Sequence, residues 1–330
     1  MNLLAHDPFG VAADPRMPRL GRALDPAEVE RVLGRLAGWE GSAVRAIRAV
    51  RYKPGRRCLI EYDIELPSSE LVSLVAKARA RGADRATFDV LVELRRQGFD
   101  ERSADGISVP EPIAVIPELG LWLQRKIAGV SATQGLAAAN GVALARRLAE
   151  AAHKLHRAAV PARREHTMAD ELRILHDRLQ AVAAQRPEWA ARLERLLAAC
   201  ARIAAATPLS ERRGIHRDFY PDQVLLDGDR LYLLDFDLYC RGDPALDIGN
   251  CIGHITEQAV RTRGDPRAFA DREAALADRF VELAGEQTRP AVRAYALLTL
   301  ARHIQLSAER VERQPFTERL LELCEERFQC

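Results

Sequence analysis

One short segment of the chain carries the residue types needed to transfer a phosphoryl group from a nucleotide bound with Mg²⁺. Its polar residues follow one another in the order His216, Asp218, Gln223, Asp235 and Asp237. A carboxylate that can take a proton, an amide oxygen and further carboxylates are the groups that such a transfer requires. The segment departs from the usual pattern at one position, where it has Gln223 instead of an asparagine.

The residues between these polar groups predict a β-hairpin that brings them together. Two short apolar runs flank Asp227-Gly228, a strong signal for a tight turn between two strands. Folding at that turn would place Gln223 beside Asp235 at the open end of the hairpin, with Asp218 in the loop before the first strand. A surface hairpin would explain the turn residues, but not the acidic residues on both sides of it.

Each of the three side chains at the open end of this hairpin has its own predicted role in phosphoryl transfer. Mg²⁺ prefers oxygen ligands and binds proteins through one or two side chains together with water and phosphate oxygens. We therefore predict that Asp235 binds the metal that bridges the nucleotide phosphates, and that Gln223 offers its amide oxygen to a metal. We predict that Asp218 is the catalytic residue, which orients the acceptor hydroxyl and takes its proton.

A lysine at the end of an apolar strand is the second candidate for binding the nucleotide. Lys77 closes the run Leu71–Lys77, and its ammonium could neutralise phosphate oxygens. A carboxylate on the following predicted helix would hold the ammonium in place. Asp89 is preferred, and Glu93, which lies on the same helical stripe, is the alternative. A strand-end lysine with its head in water would have the same sequence pattern.

Two backbone segments are further candidates for contacts with the nucleotide. In the turn between the first two predicted strands, Gly55 could let backbone N–H groups approach phosphate, and Arg56 or Arg57 could add positive charge. The motif G-x-G-x-x-G is missing, and a solvated Pro-Gly turn is an equal alternative. The segment from Gln124 to Ile127 links the two halves of the chain, and its backbone groups could hydrogen-bond an adenine edge.

The hydrophobic pattern predicts an α+β fold with two lobes. Residues 1–128 would form an N-terminal extension and a β-rich nucleotide-binding lobe, with a five-stranded antiparallel sheet and one inserted helix. Residues 129–330 would form a larger, mainly helical lobe that carries the catalytic residues and binds the acceptor. The first lobe has an irregular segment at 1–24, a helix at 25–37, strands at 44–52, 58–66, 71–77, 113–116 and 121–125, and a helix at 84–97. The second lobe has helices at 142–158, 170–184, 189–206, 245–262, 266–285, 289–308 and 316–328.

The composition limits the class of protein. The chain has 330 residues and is 48% hydrophobic, which is enough for a substantial core in two lobes. Its 49 basic and 47 acidic residues give a net charge of +2 without a basic patch, so nucleic acid is not expected as a partner. No apolar run is long enough for a membrane span, and the six cysteines lack C-x-x-C spacing. We therefore expect a cytoplasmic protein without membrane contact, as a monomer or homodimer.

Three other polar residues are predicted to have structural roles. His156 lies on an alanine-rich helix and is expected to be packed rather than catalytic. Asp247 follows a good helix start at Asp243-Pro and is expected to cap that helix or brace the catalytic loop. His216 is expected to order the loop backbone rather than to transfer protons.

The assembled motifs resemble those of the aminoglycoside phosphotransferase and choline kinase family, which are small-molecule relatives of protein kinases. The resemblance is strongest at residues 216–223, 234–237 and 242–249, and moderate at Val75-Ala-Lys77. It implies a bilobal protein-kinase-like fold, ATP or GTP as donor, Mg²⁺, and a small acceptor held by the helical lobe. By the same resemblance Asp218 matches the catalytic aspartate, Asp235 the metal aspartate, and Asp237 a second acidic residue near the metals.

The sequence is compatible with several classes of acceptor. Some sugar-phosphorylating relatives carry glutamine at the position of Gln223, which slightly favours a sugar over choline. Choline would also favour an aromatic cage, and aromatic residues make up only 5% of this chain. A cationic antibiotic acceptor would require an acidic cleft, for which Asp170, Glu171 and Glu257 are candidates. A pseudokinase that binds nucleotide as a scaffold is the alternative outside catalysis.

Overall fold

The computed structural model describes residues 5–329, and the chain divides into two compact units, Met1–Ala128 and Gly129–Cys330. Each unit has its own secondary structure and its own buried core. None of the helices among residues 5–329 combines the length and the apolar character that crossing a bilayer requires.

The first unit contains one large β-sheet and several α-helices. Its elements are β1 (Ala5–His6), α1 (Leu20–Ala23), α2 (Pro26–Leu33), β2 (Ala43–Lys53), β3 (Arg57–Glu65), β4 (Leu71–Arg79), α3 (Arg85–Arg96), β5 (Ile107–Ser108), β6 (Pro112–Ile116) and β7 (Leu121–Arg125). The sheet order is β1-β2-β3-β4-β7-β6. The five predicted strands pair antiparallel, and the short β1 adds to the edge of β2 in parallel. The side chains of Asp25 and Asp84 cap α2 and α3, and α2 ends at Leu33, earlier than predicted.

Alternation along β3 and β4 determines which side chains the sheet exposes. In β3, Cys58, Ile60, Tyr62 and Ile64 are buried, whereas the residues between them are only partly buried. Successive side chains of a strand point to opposite faces, so one face of β3 covers the core. The same alternation in β4 places Lys77 on the less buried face.

The prediction of an irregular N-terminal segment, residues 1–24, is wrong for its described part, residues 5–24. That part contains β1 and α1, and Leu20 and Ala23 belong to the core beneath the sheet. The buried Tyr62 hydroxyl donates a hydrogen bond to the carbonyl of Ala23 at 2.8 Å. Helix α1 has only four residues, too few to give a periodic pattern, and burial rather than propensity stabilises it.

The second unit is mainly helical. Its elements are β8 (Val130–Ser131), α4 (Ala132–Ala137), α5 (Gly141–Arg157), α6 (Met168–Gln185), α7 (Ala190–Ala206), β9 (Arg213–Ile215), β10 (Val224–Asp227), β11 (Arg230–Leu233), β12 (Cys240–Gly242), α8 (Ala245–Arg263), α9 (Ala270–Ala284), α10 (Arg289–Ala308) and α11 (Thr317–Phe328). All the helices predicted in this half are present, with ends that differ by four residues at most. The short β8 and α4 were not predicted. Strand β10 lies between β11 and β8, and β9 pairs with β12.

Helix α8 is the buried helix that supports residues 216–219, the predicted catalytic loop. Its first half carries Asp247 and Asn250, both fully buried. Gly249 and Gly253 allow α10 to pack closely against α8. A Cβ atom at Gly249 would lie 2.4 Å from Cβ of Tyr295, and one at Gly253 would be similarly crowded. These glycines therefore fix the distance between the two helices.

Candidate active site

The predicted hairpin is present, but its turn lies one residue further along the chain. Asp227 is the last residue of β10 and pairs with Arg230, so the turn residues are Gly228 and Asp229. Gly228 has a φ of 56°, the left-handed conformation that tight hairpin turns favour. Asp227 belongs to the strand because β10 and β11 pair without interruption up to the turn.

The open end of the hairpin brings Gln223 and Asp235 together, as the sequence indicated. The backbone carbonyl of Gln223 accepts a hydrogen bond from the N–H of Leu234 at 2.8 Å, and Asp235 is the next residue. The side-chain amide of Gln223 donates from Nε2 to the hydroxyl of Tyr220 at 3.1 Å. Its amide oxygen is therefore the atom that can face a metal.

The two acidic residues after β11 lie on an unusual backbone. Asp235 has φ 58° and ψ 61°, a left-handed conformation that is costly for a residue other than glycine. It precedes a single 3₁₀ turn, Phe236–Leu238, that carries Asp237. The carbonyl of Asp237 accepts a hydrogen bond from the guanidinium of Arg164 at 2.7 Å. Strained backbone of this kind occurs where a side chain must point in one required direction.

Asp247 braces the catalytic loop on the N-terminal side of Asp218. Its carboxylate is completely buried and accepts hydrogen bonds from the backbone N–H groups of His216 at 2.9 Å and Arg217 at 2.7 Å. His156 donates a third hydrogen bond from Nε2 at 2.9 Å. Both predictions are confirmed: Asp247 braces the loop, and His156 is a packed structural residue.

His216 orders the loop from the other direction. Its ring is completely buried, and Nε2 donates to the carbonyl of Leu234 at 2.6 Å. The ring also packs against Phe236, with the centroids 4.8 Å apart. The imidazole therefore ties the catalytic loop to the end of β11, which confirms the predicted structural role.

Asn250 holds the loop on the C-terminal side of Asp218. Its Nδ2 donates to the carbonyl of Phe219 at 2.9 Å, and its Oδ1 accepts from the guanidinium of Arg302 on α10. The peptides before and after Asp218 are thus both fixed by buried side chains of α8. Asp218 itself is partly buried.

Several acidic residues lie close enough to Tyr220 to affect the pKa of its hydroxyl. Burial raises the pKa of the Tyr220 hydroxyl, and the charges of Asp218, Asp222 and Asp235 raise it further. Asp222 also accepts a hydrogen bond from Thr133. A concentration of carboxylates around one hydroxyl is the donor set expected where divalent cations and phosphates bind.

Beneath Tyr220 lies a pair of histidines, of which His303 is buried and His254 is partly buried. The ring of His254 stacks on Tyr220 at a centroid distance of 4.1 Å, and His303 meets His254 edge-on at 4.4 Å. Burial lowers the pKa of both imidazoles well below the ordinary value. The positive charges of Arg302 and Arg313 lower both pKa values further. Both rings are therefore neutral at physiological pH.

Lys77 lies near the end of β4, opposite Trp122 of β7 and Leu59 of β3. Its ammonium is 5.2 Å from the centroid of the buried Trp122 ring, a cation–π distance. Lys77 is partly buried on one face of the sheet, and its role in binding the nucleotide stays a prediction.

The two candidate partners of Lys77 differ in exposure. Asp89 is exposed and bonds Arg85 one turn earlier on α3, at 3.0 Å. Glu93 is partly buried and accepts a hydrogen bond from Gln97 at 2.9 Å. Burial therefore favours Glu93 over Asp89, and the pairing with Lys77 stays a prediction.

The turn between β2 and β3 is held by the N-terminal segment. Gly55 has a φ of 59°, and its backbone N–H donates to the carboxylate of Asp14 at 2.8 Å. The hydroxyl of Tyr52 donates to the same carboxylate at 2.7 Å, and these two bonds lower the pKa of Asp14. A Cβ atom at Gly55 would lie 2.7 Å from the side chain of Arg16. The N–H of Gly55 is thus bonded to an anion within the chain, while Arg56 is exposed.

The two linker residues differ in backbone pairing. Gln124 is a buried residue of β7, opposite Val75 of β4 and Pro112 of β6. Ile127 lies two residues beyond the end of β7, outside the strand ladders. Its position leaves Ile127 as the better candidate for a backbone contact with an adenine edge.

The structure adds residues that sequence reasoning missed. Asn250, Arg302 and Asp14 each support the loops described above, yet none lies in a recognisable motif. The Asn250 contact joins residues 31 apart in sequence, and the Asp14 contact joins residues 41 apart. A polar residue at a buried position of an amphipathic helix is the one sequence signal that could have indicated Asn250.

Sequence comparison places the chain among enzymes that transfer phosphoryl groups. A model of the phosphotransferase enzyme family matches residues 75–295, and the chain belongs to that family. No curated protein matches this chain in sequence.

Solved structures show the same fold. A choline/ethanolamine kinase family protein from Mesorhizobium loti is 18% identical with a TM-score of 0.58, over 92% of this chain and 95% of that chain. A thermostable mutant of aminoglycoside phosphotransferase APH(4)-Ia, in a ternary complex with AMP-PNP and hygromycin B, is 16% identical with a TM-score of 0.60, over 91% and 97%. Choline kinase from Cryptosporidium parvum is 12% identical with a TM-score of 0.59, over 92% and 96%. These likenesses confirm the predicted protein-kinase-like fold.

Proposed function

We propose that this phosphotransferase is a small-molecule kinase that transfers the γ-phosphate of ATP or GTP to a hydroxyl group of a small acceptor. The observation that carries the proposal is the loop around Asp218. Asp247 fixes the peptides before Asp218, and Asn250 fixes the peptide after it. A carboxylate held in this way is positioned to meet a bound hydroxyl without further ordering of the loop.

The proposed transfer forms one bond and breaks another at the γ-phosphorus. The oxygen of the acceptor hydroxyl forms a bond to the γ-phosphorus, while the bond from that phosphorus to the β,γ-bridging oxygen breaks and the nucleoside diphosphate leaves. The proton of the hydroxyl passes to the carboxylate of Asp218. Lys77 neutralises charge on the nucleotide phosphates.

The donor set near the hairpin fits Mg²⁺. Asp235 and Asp237 supply carboxylate oxygens, and Gln223 supplies an amide oxygen whose nitrogen is already bonded to Tyr220. When bound, Mg²⁺ would neutralise the phosphate oxygens that these residues face. Among residues 5–329 there is no group of three or more His, Cys, Asp or Glu side chains placed to hold a metal ion. A site completed by the phosphates of the nucleotide needs fewer protein ligands than that.

Related structures indicate the donor. The AMP-PNP and ADP complexes of APH(4)-Ia support an adenine nucleotide as donor. Gln124, Ile127 and Arg56 are proposed to contact that nucleotide. Gly55 contributes through the shape of its turn, because its N–H is bonded to Asp14.

A nucleotide-consumption screen tests the proposal. The protein is incubated with Mg²⁺ and ATP or GTP, together with sugars, sugar acids, amino alcohols, aminoglycosides and nucleosides, and the phosphorylated acceptor is identified by mass spectrometry. We expect acceptor-dependent release of ADP or GDP that stops when EDTA removes the metal. Binding of the nucleotide with Mg²⁺ but no product from any acceptor would instead favour the pseudokinase. The retained Asp218 and its buried supports argue against that outcome, because a scaffold has no need of a positioned base.

A further inference from the structure

The three acidic residues that could have formed a cleft for a cationic acceptor are all used within the second unit. Asp170 completes the capping box of α6 with Thr167 and bonds Arg173 at 3.2 Å. Glu257 is buried and bonds Arg261 at 3.1 Å and Arg313 at 3.5 Å. Neither carboxylate is left to receive an ammonium group of an acceptor.

Glu171 is used as well. It is buried, accepts a hydrogen bond from His166 at 2.5 Å, and lies 3.7 Å from the guanidinium of Arg302. Burial alone would raise the pKa of Glu171, but the hydrogen bond from His166 and the charge of Arg302 bring it below the ordinary value. Glu171 is therefore an ionised, fully partnered carboxylate at the contact between α6 and α10.

The same region contains more arginine than Glu171 and the nearby Glu309 can balance. Arg178 lies on the same face of α6 as Glu171 and Leu175, because residues four and seven apart share a helical face. Arg217 lies in the catalytic loop. Among residues 5–329, neither Arg178 nor Arg217 has a carboxylate within 4.0 Å. Burial and the neighbouring charge of Arg302 lower the pKa of Arg178, the direction expected for a guanidinium without a counter-ion.

Two of the arginines are connected to the loop that contains the proposed catalytic carboxylate, Asp218. Arg217 directly precedes Asp218, and its backbone has a φ of 67° that Asp247 holds in place. Arg302 bonds the amide of Asn250, which in turn holds the carbonyl of the residue after Asp218. The excess positive charge therefore belongs to the surroundings of the loop that would meet the acceptor.

We propose that Arg178, Arg217 and Arg302 select an acidic acceptor, a hydroxylated small molecule that carries a carboxylate or phosphate group. The proposal rests on the kinase function proposed above and names its substrate class. Guanidinium groups bind planar anions through paired N–H donors, and such charge-assisted bonds are strong where water is partly excluded. A cationic acceptor would be repelled by the positive charge of these three guanidinium groups.

Two neutral compounds, each compared with its own charged derivatives, provide the test. The first series is glucose, glucuronate, glucose 6-phosphate and glucosamine, and the second is glycerol, glycerate, glycerol 3-phosphate and 3-amino-1,2-propanediol. Binding of each to the protein with Mg²⁺ and ADP is measured by titration calorimetry, and turnover is measured with Mg²⁺ and ATP. We expect at least one anionic member to bind about 10- to 100-fold more tightly than its neutral and cationic relatives. The carboxylate and phosphate members separate the two sources of negative charge.

Arg178→Gln provides the matched variant, since Arg178 has no partner in the described chain whose loss would unfold the protein. We expect it to remove most of the preference for the anion, and Arg178→Glu to reverse it, while the unfolding temperature stays unchanged. Arg173→Gln, on the exposed side of the same helix, is the control and should keep the preference. Equal or tighter binding of the neutral or cationic members, no binding of any member, or an unchanged preference in Arg178→Gln would overturn the proposal. Turnover of neutral acceptors alone would do so while leaving the kinase function intact. If the wider screen gave no phosphorylated product at all, the kinase function would fail, and the anion preference would still be decided by calorimetry.

Discussion

Replacing Asp247 is expected to damage both stability and catalysis, because its carboxylate accepts three hydrogen bonds from buried donors. Asp247→Ala would leave the backbone N–H groups of His216 and Arg217 and the Nε2–H of His156 without an acceptor. An orphaned buried polar group costs about 1–3 kcal/mol, and loss of a buried hydrogen-bonded charge costs about 3–5 kcal/mol in total. We therefore expect the free energy of unfolding to fall by about 3–5 kcal/mol.

Asp247→Asn separates the role in catalysis from the role in stability. The amide keeps the shape of the side chain and one acceptor oxygen, so we expect a smaller loss of about 1–3 kcal/mol. Only part of the loop would then be held, and a misplaced base lowers kcat by about 100-fold while nucleotide affinity stays unchanged. Urea unfolding, followed by tryptophan fluorescence, and steady-state kinetics measure the two effects.

Asp243→Ala is the matched control for this experiment. Asp243 lies four residues earlier and bonds the N–H of Ala245 at the start of the same helix, not the catalytic loop. Its carboxylate also accepts a hydrogen bond from Ser210, so its loss should cost about 1–3 kcal/mol without lowering kcat. The reasoning is refuted if Asp247→Ala is no less stable than Asp243→Ala, or if Asp247→Asn keeps full kcat.

Three further predictions concern the supports of the site. His254 and His303 have lowered pKa values in the folded protein, so their contribution to stability is complete above pH 6.5 and is lost as the pH falls. Each histidine should lower the free energy of unfolding by up to about 1.4 kcal/mol per pH unit below that value. Urea unfolding from pH 7 to pH 5 should therefore show a smaller fall in this free energy with pH for His303→Gln than for the wild type. Gly249→Ala should lower the free energy of unfolding by about 1–3 kcal/mol, because the new methyl group would overlap Tyr295, and thermal unfolding would show no change if the two helices can move apart. Asp14→Ala should lower the unfolding temperature and accelerate amide hydrogen exchange at Gly55; exchange at the wild-type rate would mean that this carboxylate does not hold the turn.

Local signals were sufficient for much of the fold. The alternation in β3, the aspartate caps of α2 and α3, and the hairpin after the catalytic loop each depend on residues close in sequence, and each is present. The bracing role of Asp247 was also predictable, because its helix start lies soon after Asp235 and Asp237, the predicted metal ligands. The short helix α1 was not predictable, since four residues cannot show a period and its burial depends on the sheet beneath it.

The contacts that support the candidate site were harder to predict because they join distant parts of the chain. The bond between Asn250 and Arg302 depends on the packing of α8 against α10, which places residues 52 apart in sequence in contact. The bond between Asp14 and Gly55 depends on how the N-terminal segment lies on the sheet. The surplus of arginine around Glu171 likewise emerges only when α6, α10 and the catalytic loop are seen together.

The most direct test of phosphoryl transfer by this loop is the rate of acceptor phosphorylation in Asp218→Asn. The variant keeps the size and hydrogen-bonding shape of the side chain but cannot take the proton of the acceptor hydroxyl. With Mg²⁺ and ATP at saturating acceptor, we expect the rate to fall by about 100- to 10,000-fold, with the affinity for the nucleotide unchanged. A variant that phosphorylates the acceptor at the wild-type rate would contradict the role assigned to Asp218 and, with it, the proposed mechanism.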